Sequence, residues 1–359
     1  MKFLTFKKIL TFITITPSLL ACLSAQEKLS DKKLRLISEQ PNPVIDINHQ
    51  DVITTNNQAG FETGQVVKID GTYHMFVNEM FFRPHRDLRI AYWTSNNAND
   101  WKRQNTIVES IPGRSASNPR SEVWVTGVEF NEDENSWNIF YVAYRAGDAK
   151  KGEYARSDYQ GRIWRAKSVL EGKDGIAGPY ADMGIVLEPD KNSQPWEGQQ
   201  AVATFNPFKV GALWYAFYDG HNYIPMGPWP VGLATSPRLG GPWKRMSEDI
   251  NPIPIAEQFI ENPQVTELKN GGYLAIFDSF GDHEIAYSLS DDGLRWSPES
   301  RIKIQTTNEP WASYGDHAMR TPLCAIEEED GTFTVIYTAK INHKDRTFYA
   351  IGKCTLGWQ

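Results

Sequence analysis

Five acidic residues recur at one place in a repeated pattern of this chain: Glu62, Glu122, Glu197, Glu261 and Asp316 each stand just before or at the start of a short alternating stretch. If those stretches converge, the acids converge with them. Crowded carboxylates raise one another's pKa unless a cation, a shared proton or a substrate offsets the repulsion. Two carboxyl groups of different acidity suffice to hydrolyse a glycosidic bond: one gives a proton to the leaving oxygen, and the other activates water or attacks the sugar. What matters is presentation at one opening, not spacing along the chain. The competing role for any one of these acids is to cap a turn or to pair with an arginine.

The elements that must position them repeat as well. Each acid opens an alternating strand, a turn and an aromatic-rich strand, as in FETGQVVKIDGTYHMFV from Phe61 and IENPQVTELKNGGYLAIFD from Ile260. A third strand follows and closes on Trp through a small-residue hairpin, as in IAYWTSNNANDW, VGLATSPRLGGPW and IAYSLSDDGLRW, with a more divergent version around residues 163–180. Units of roughly 40–50 residues with about four strands are the signature of propeller blades. The expected fold is all-β, a five-bladed β-propeller, with the acids ringing one mouth of its axis. The last unit has three strands of its own, and LRLISEQPNPVIDIN near the N-terminus is expected to supply the fourth and cover the exposed edge.

Units of this size account for most of the 359 residues and leave one domain, expected over residues 35–359. A net charge of -7 without any basic run argues against a nucleic-acid partner. Residues 1–21 read as an export signal: Lys2, Lys7 and Lys8, then the apolar run ILTFITIT, too short to span a bilayer. Leu19-Leu20-Ala21-Cys22 has the form of a lipobox, so Cys22 is expected to carry lipid and residues 22–34 to act as a tether. The alternative is cleavage after Ala25. The chain is thus expected to be exported, a cell-envelope lipoprotein, periplasmic or at the cell surface, and monomeric. Cys324 and Cys354 fall in the last unit, either paired or as separate small apolar side chains.

Several segments resemble family 43 glycoside hydrolases. Glu261-Asn262-Pro263 is similar to the Glu-Gly-Pro that precedes the strand bearing the general acid in that family. FETGQVVKIDGTYHMFV is similar to its first-blade hairpin, which carries the base, with Glu62 where Asp is usual. WEGQQAVATF stands where the family places an Asp that tunes the acid, with Glu197 in that position. The resemblance implies Glu261 as acid, Glu62 as base and Glu197 as tuner, with inversion at a carboxyl separation of about 6.5–9.5 Å. Glu122 is the substitute if the register is off by one blade. Tyr314-Gly315-Asp316-His317 is similar to a turn whose His approaches an axial metal in several members, which implies Ca²⁺ near His317; no other cofactor is required.

Around the mouth, Trp124, Trp196 and Trp311 lie near unit starts as sugar platforms or as packing, and His221 as a substrate contact or a satisfied hydrogen-bonding residue. The insertions MFFRPHR and GHNYIPMGPWP are the better platforms, because loops on a rigid scaffold carry function. Arg83, His85 and Arg320 could receive a uronate carboxylate or sulfate, or balance the acids. A sialidase-like hydrolase is the rival enzyme, but it implies six units. These observations lead to a glycosidase acting on plant or algal polysaccharide fragments. The competing class is a non-catalytic glycan-binding surface lipoprotein, which would keep the aromatics but not need paired carboxylates.

Overall fold

Alternating apolar and polar residues on either side of Asp70-Gly71 build the first hairpin. Both turn residues are left-handed, φ 47 for Asp70 and 83 for Gly71, which matches the twist of two antiparallel strands joined by two residues. The computed structural model describes residues 28–81, 87–111, 119–144, 160–221, 231–246, 261–278, 284–304, 311, 319–343 and 346–359. Almost all regular structure is strand.

Strand β1 (Leu34–Glu39) precedes a short helix, α1 (Gln50–Thr54). Antiparallel meanders follow. The first is β2 (Gly60–Ile69), β3 (Thr72–Phe81), β4 (Asp87–Ser95) and β5 (Lys102–Glu109). The second is β6 (Glu122–Asn131), β7 (Ser136–Tyr144), β8 (Arg162–Ser168) and β9 (Tyr180–Leu187). Next come β10 (Ala201–Val210), β11 (Leu213–His221), β12 (Val231–Ser236) and β13 (Lys244–Arg245), then β14 (Gln264–Glu267), β15 (Tyr273–Phe277), β16 (Glu284–Ser290) and β17 (Ser300–Lys303). Last are β18 (Met319–Glu327), β19 (Phe333–His343) and β20 (Arg346–Trp358), with β1 pairing antiparallel on β20 as the expected fourth strand.

Hydrogen bonding divides the described strands into three four-stranded sheets and one of eight. The eight-stranded sheet is two meanders joined by one parallel bridge, Gly60 to Tyr349. Gly60 is required there, since a Cβ would lie 2.1 Å from the Tyr349 carbonyl oxygen. Among the described residues no sheet closes on itself. The first strands β2, β6, β10, β14 and β18 nevertheless contact one another in that order, and β18 contacts β2.

The apolar faces are buried between neighbouring meanders. One core packs Phe76, Phe140 and Phe205 between the first three, and another packs Phe208, Phe217, Phe277 and Trp296 between the third and fourth. Leu274, Phe333 and Tyr337 join the fourth to the last, and Phe61, Trp93 and Phe348 join the last to the first. Polar side chains tie first strands together: Val128 N donates to Gln65 Oε1 at 2.5 Å, Gln264 Nε2 to the Gly64 carbonyl at 3.3 Å, and Thr266 Oγ1 to the Ala325 carbonyl at 2.8 Å.

Cys324 and Cys354 are free and buried. Cys324 packs with the face that holds Ile336, while Cys354 packs with the opposite face, beside Val335. With β19 between their strands, the two side chains do not meet, and burial pushes the Cys324 thiol up to about 12. The chain also docks earlier than residue 35, because a 3-10 turn at Leu29–Asp31 already lies on the fold.

Candidate active site

Among the described residues, β2, β6 and β14 each start beside a carboxylate and end at a hairpin turn. Glu62 lies third in β2 and is buried, next to a register shift between Glu62 and Gly64 that kinks the strand. Behind it, Thr63 Oγ1 donates to Asn78 Oδ1 at 3.1 Å, and Asn78 clamps the second meander by bonding both the Val123 carbonyl (2.6 Å) and the Val125 amide (2.7 Å). Glu122 opens β6 and is 1% exposed. Glu62 and Glu122 therefore stand at the same end of adjoining strands.

Glu261 precedes β14 and is partly buried. Asn262 after it is left-handed, φ 54, which swings the chain so that the Asp278 amide reaches the Glu261 carbonyl at 3.1 Å. The Asp278 carboxylate accepts from Asn262 Nδ2 and Thr321 Oγ1, both at 3.4 Å. On the next sheet, Asp219 at the end of β11 is wholly buried. A register shift between Val202 and Phe205 turns two consecutive amides inward, so Ala203 N and Thr204 N both donate to Asp219 Oδ1, at 3.1 and 2.9 Å. Burial pushes its carboxyl up to about 8, with the charge of Glu261 adding to the shift. A proton is held beside Glu261 at neutral pH.

Glu197 faces elsewhere. It ends the 3-10 turn Pro195–Glu197, and its Oε1 accepts from the Gln194 amide at 2.9 Å and from the Tyr218 hydroxyl at 2.7 Å. Arg245 Nε bridges both oxygens at 2.9 and 2.8 Å. Tyr218 and Asp219 are neighbours in β11 and so project to opposite faces. Glu197 lies on the Tyr218 side, and burial, together with the Glu197 charge, holds the Tyr218 phenol well above its usual range.

The aromatics divide similarly. Trp124 is 5% exposed within the core, which leaves no ring face for a sugar. Trp196 packs on Tyr218 at 5.6 Å and Trp311 stacks on Tyr337 at 6.1 Å, both partly exposed. Cys22, Arg83, His85, Asp316 and His317 lie outside the described residues, as do the side chains of His221 and Arg320. Among the described residues no group of three His, Cys, Asp or Glu is arranged to hold a metal.

Asp219 and Asp278 are functional candidates that sequence reasoning missed. A signal is present: both follow an aromatic residue at the end of the second strand of consecutive units, in AFYDG and AIFDS. The unit-opening acids are more conspicuous because they repeat more often.

No family model matches the chain, and no characterised relative matches it by sequence. Its fold does match solved structures. A complex of BT0996 and RGII is 13% identical with TM-score 0.64, over 90% of this protein and 92% of that one. Zg3597, a family 117 glycoside hydrolase from the marine bacterium Zobellia galactanivorans, is 12% identical with TM-score 0.60, over 90% of each protein. An α-L-arabinofuranosidase from Lactobacillus brevis is 13% identical with TM-score 0.52, over 82% of this protein and 92% of that one. The fold is shared with glycoside hydrolases.

Proposed function

We propose that this protein is a glycoside hydrolase, built as a five-bladed β-propeller, that cleaves polysaccharide fragments with carboxyl groups from different blades. The cyclic contacts of the five first strands support the propeller reading. The observation that carries the function is Asp219, a buried carboxyl held by two strand amides at the end where Glu62 is presented and in the field of Glu261, whose charge adds to the rise in its pKa.

In this reading Glu261 is the general acid, taking up the proton that Asp219 holds beside it. It gives its proton to the glycosidic oxygen as the bond from that oxygen to the anomeric carbon breaks. Glu62 takes a proton from water whose oxygen bonds the anomeric carbon, which inverts the configuration. Asp219 replaces Glu197 as the group that tunes the acid. A carboxylate occupied by Arg245 and Tyr218, across β11 from Glu261, presents little field to it, whereas Asp219 is already coupled to Glu261. Family 43 supplies the template for the roles. A neighbour complexed with RGII and a marine glycoside hydrolase favour a plant or algal polysaccharide substrate. The protein acts as an exported monomer, anchored through Cys22.

The test is product release from arabinose-, xylose-, galactose- and uronate-containing oligosaccharides by wild type, Glu261→Gln and Glu62→Gln. Loss of about 10²–10⁴ in kcat in each variant, with unchanged melting temperature, is expected for groups that transfer protons. Glycan binding without cleavage by wild type, equal in both variants, would overturn the enzyme in favour of a binding module.

A further inference from the structure

Residues 28–34 dock at the hairpin end of the fold, away from the carboxylates. Leu29 N donates to Asp291 Oδ1 at 3.2 Å, in the turn after β16, and the Leu29 side chain sits where a Cβ on Gly272 would meet it at 2.5 Å, in the turn after β14. Lys32 lies over Trp358 at 5.4 Å, and Leu34 N donates to Tyr287 Oη at 3.0 Å. Strand β1 then starts opposite Trp358 and climbs towards the other end. The segment that carries Cys22 is therefore attached at the end opposite Glu62, Glu122, Asp219 and Glu261.

We infer that the lipid anchor holds the hairpin end against the bilayer and points the carboxylate-lined mouth away from it. This rests on the reading of Cys22 as the lipidated residue. In that step the Cys22 thiol gives up its proton and bonds a diacylglyceryl group from a membrane phospholipid, whose phosphate-bearing headgroup leaves with that proton. From Cys22 to Lys28 the chain spans six residues, about 20 Å when fully extended. The ten residues of β2 separate the two ends by roughly 30 Å. With the mouth turned down, Lys28 would stand farther from the bilayer than the tether reaches. An outward mouth admits polymers too large to enter the gap beneath the protein.

The experiment uses the full acylated chain carrying Asn270→Cys, in the turn after β14, or Lys191→Cys, exposed after β9 at the carboxylate end. Each is labelled with a fluorophore; Cys324 and Cys354 are buried and do not compete. The proteins are bound to phosphatidylcholine vesicles containing a nitroxide-headgroup lipid. Quenching at least about twofold stronger at position 270 than at 191, abolished when Cys22→Ser is added, is the expected result. Equal quenching, or stronger quenching at 191, overturns the orientation while leaving the anchor intact. An N-terminal peptide whose mass lacks the diacylglyceryl group overturns the anchor and the orientation with it. Sugar release in solution judges the glycosidase reading independently of all three outcomes.

Discussion

The Asp278 amide donates to the Glu261 carbonyl at 3.1 Å, so the end of β15 fixes the backbone of the residue that opens its own unit. The bond holds Glu261 by its main chain and leaves the carboxyl to be set by its neighbours. Asp219 supplies that setting from the adjacent sheet, itself held by two amides of a strand irregularity.

Replacing Asp219 by Asn removes a buried acid while keeping an oxygen for the amides of Ala203 and Thr204. Below about pH 8 Asp219 is a neutral acid, so Asn removes its proton rather than a charge, and the limb of the kcat/KM profile that its ionisation sets near pH 8 is expected to disappear. A profile that keeps both limbs in place would remove Asp219 from the mechanism.

The same residue makes stability depend on pH. Its carboxyl ionises near 3.8 when free but at about 8 in the fold, so between those values the folded chain binds one more proton than the unfolded chain. Stability contributed in this way falls as pH rises through that window, by at most about 1.4 kcal/mol per unit, and no further above it. Asp219→Asn should flatten the decline in melting temperature from pH 4 to pH 8 and be the more stable protein at pH 8. Parallel melting curves for the two proteins across this range would refute it.

Arg245 and Glu197 form an ion pair with side chains 6% and 2% exposed. Arg245→Met leaves a buried carboxylate without its partner, at an expected cost of about 3–5 kcal/mol in urea unfolding. In the fraction that stays folded, the pH profile of kcat should match wild type. A shifted profile would return Glu197 to the role of tuner.

Gly220 follows Asp219, and an added Cβ would lie 2.7 Å from the Glu197 carbonyl oxygen and 2.8 Å from its Cβ. Gly220→Ala therefore forces the 195–197 turn off β11. Destabilisation by about 1–3 kcal/mol is expected from such overpacking, and an unchanged urea midpoint would show that the turn yields freely.

The two buried thiols should remain silent to a thiol reagent in the native protein and react together once it is unfolded without reductant. A single reactive thiol, or none, in the unfolded protein would contradict the opposed faces of Cys324 and Cys354.

Much of the architecture was legible in the sequence because strands write their period into it. Alternation around Asp70-Gly71 identifies the first hairpin, the repeated acids mark the strand starts, and LRLISE is recognisable as an extra strand for an incomplete last unit. Those are local properties, set by which residues suit a pleated, half-buried strand and which suit a turn. The fate of each carboxylate is not local. Glu197 and Asp219 are both acids near the ends of elements in one unit, yet one meets Arg245 and the other lies in the field of Glu261. The difference comes from the alternating faces of Tyr218 and Asp219 and from the register shift that aims two amides at one oxygen. Electrostatic partners are chosen by distance and burial across strands far apart in the chain, so only the tertiary structure decided which acids share a site.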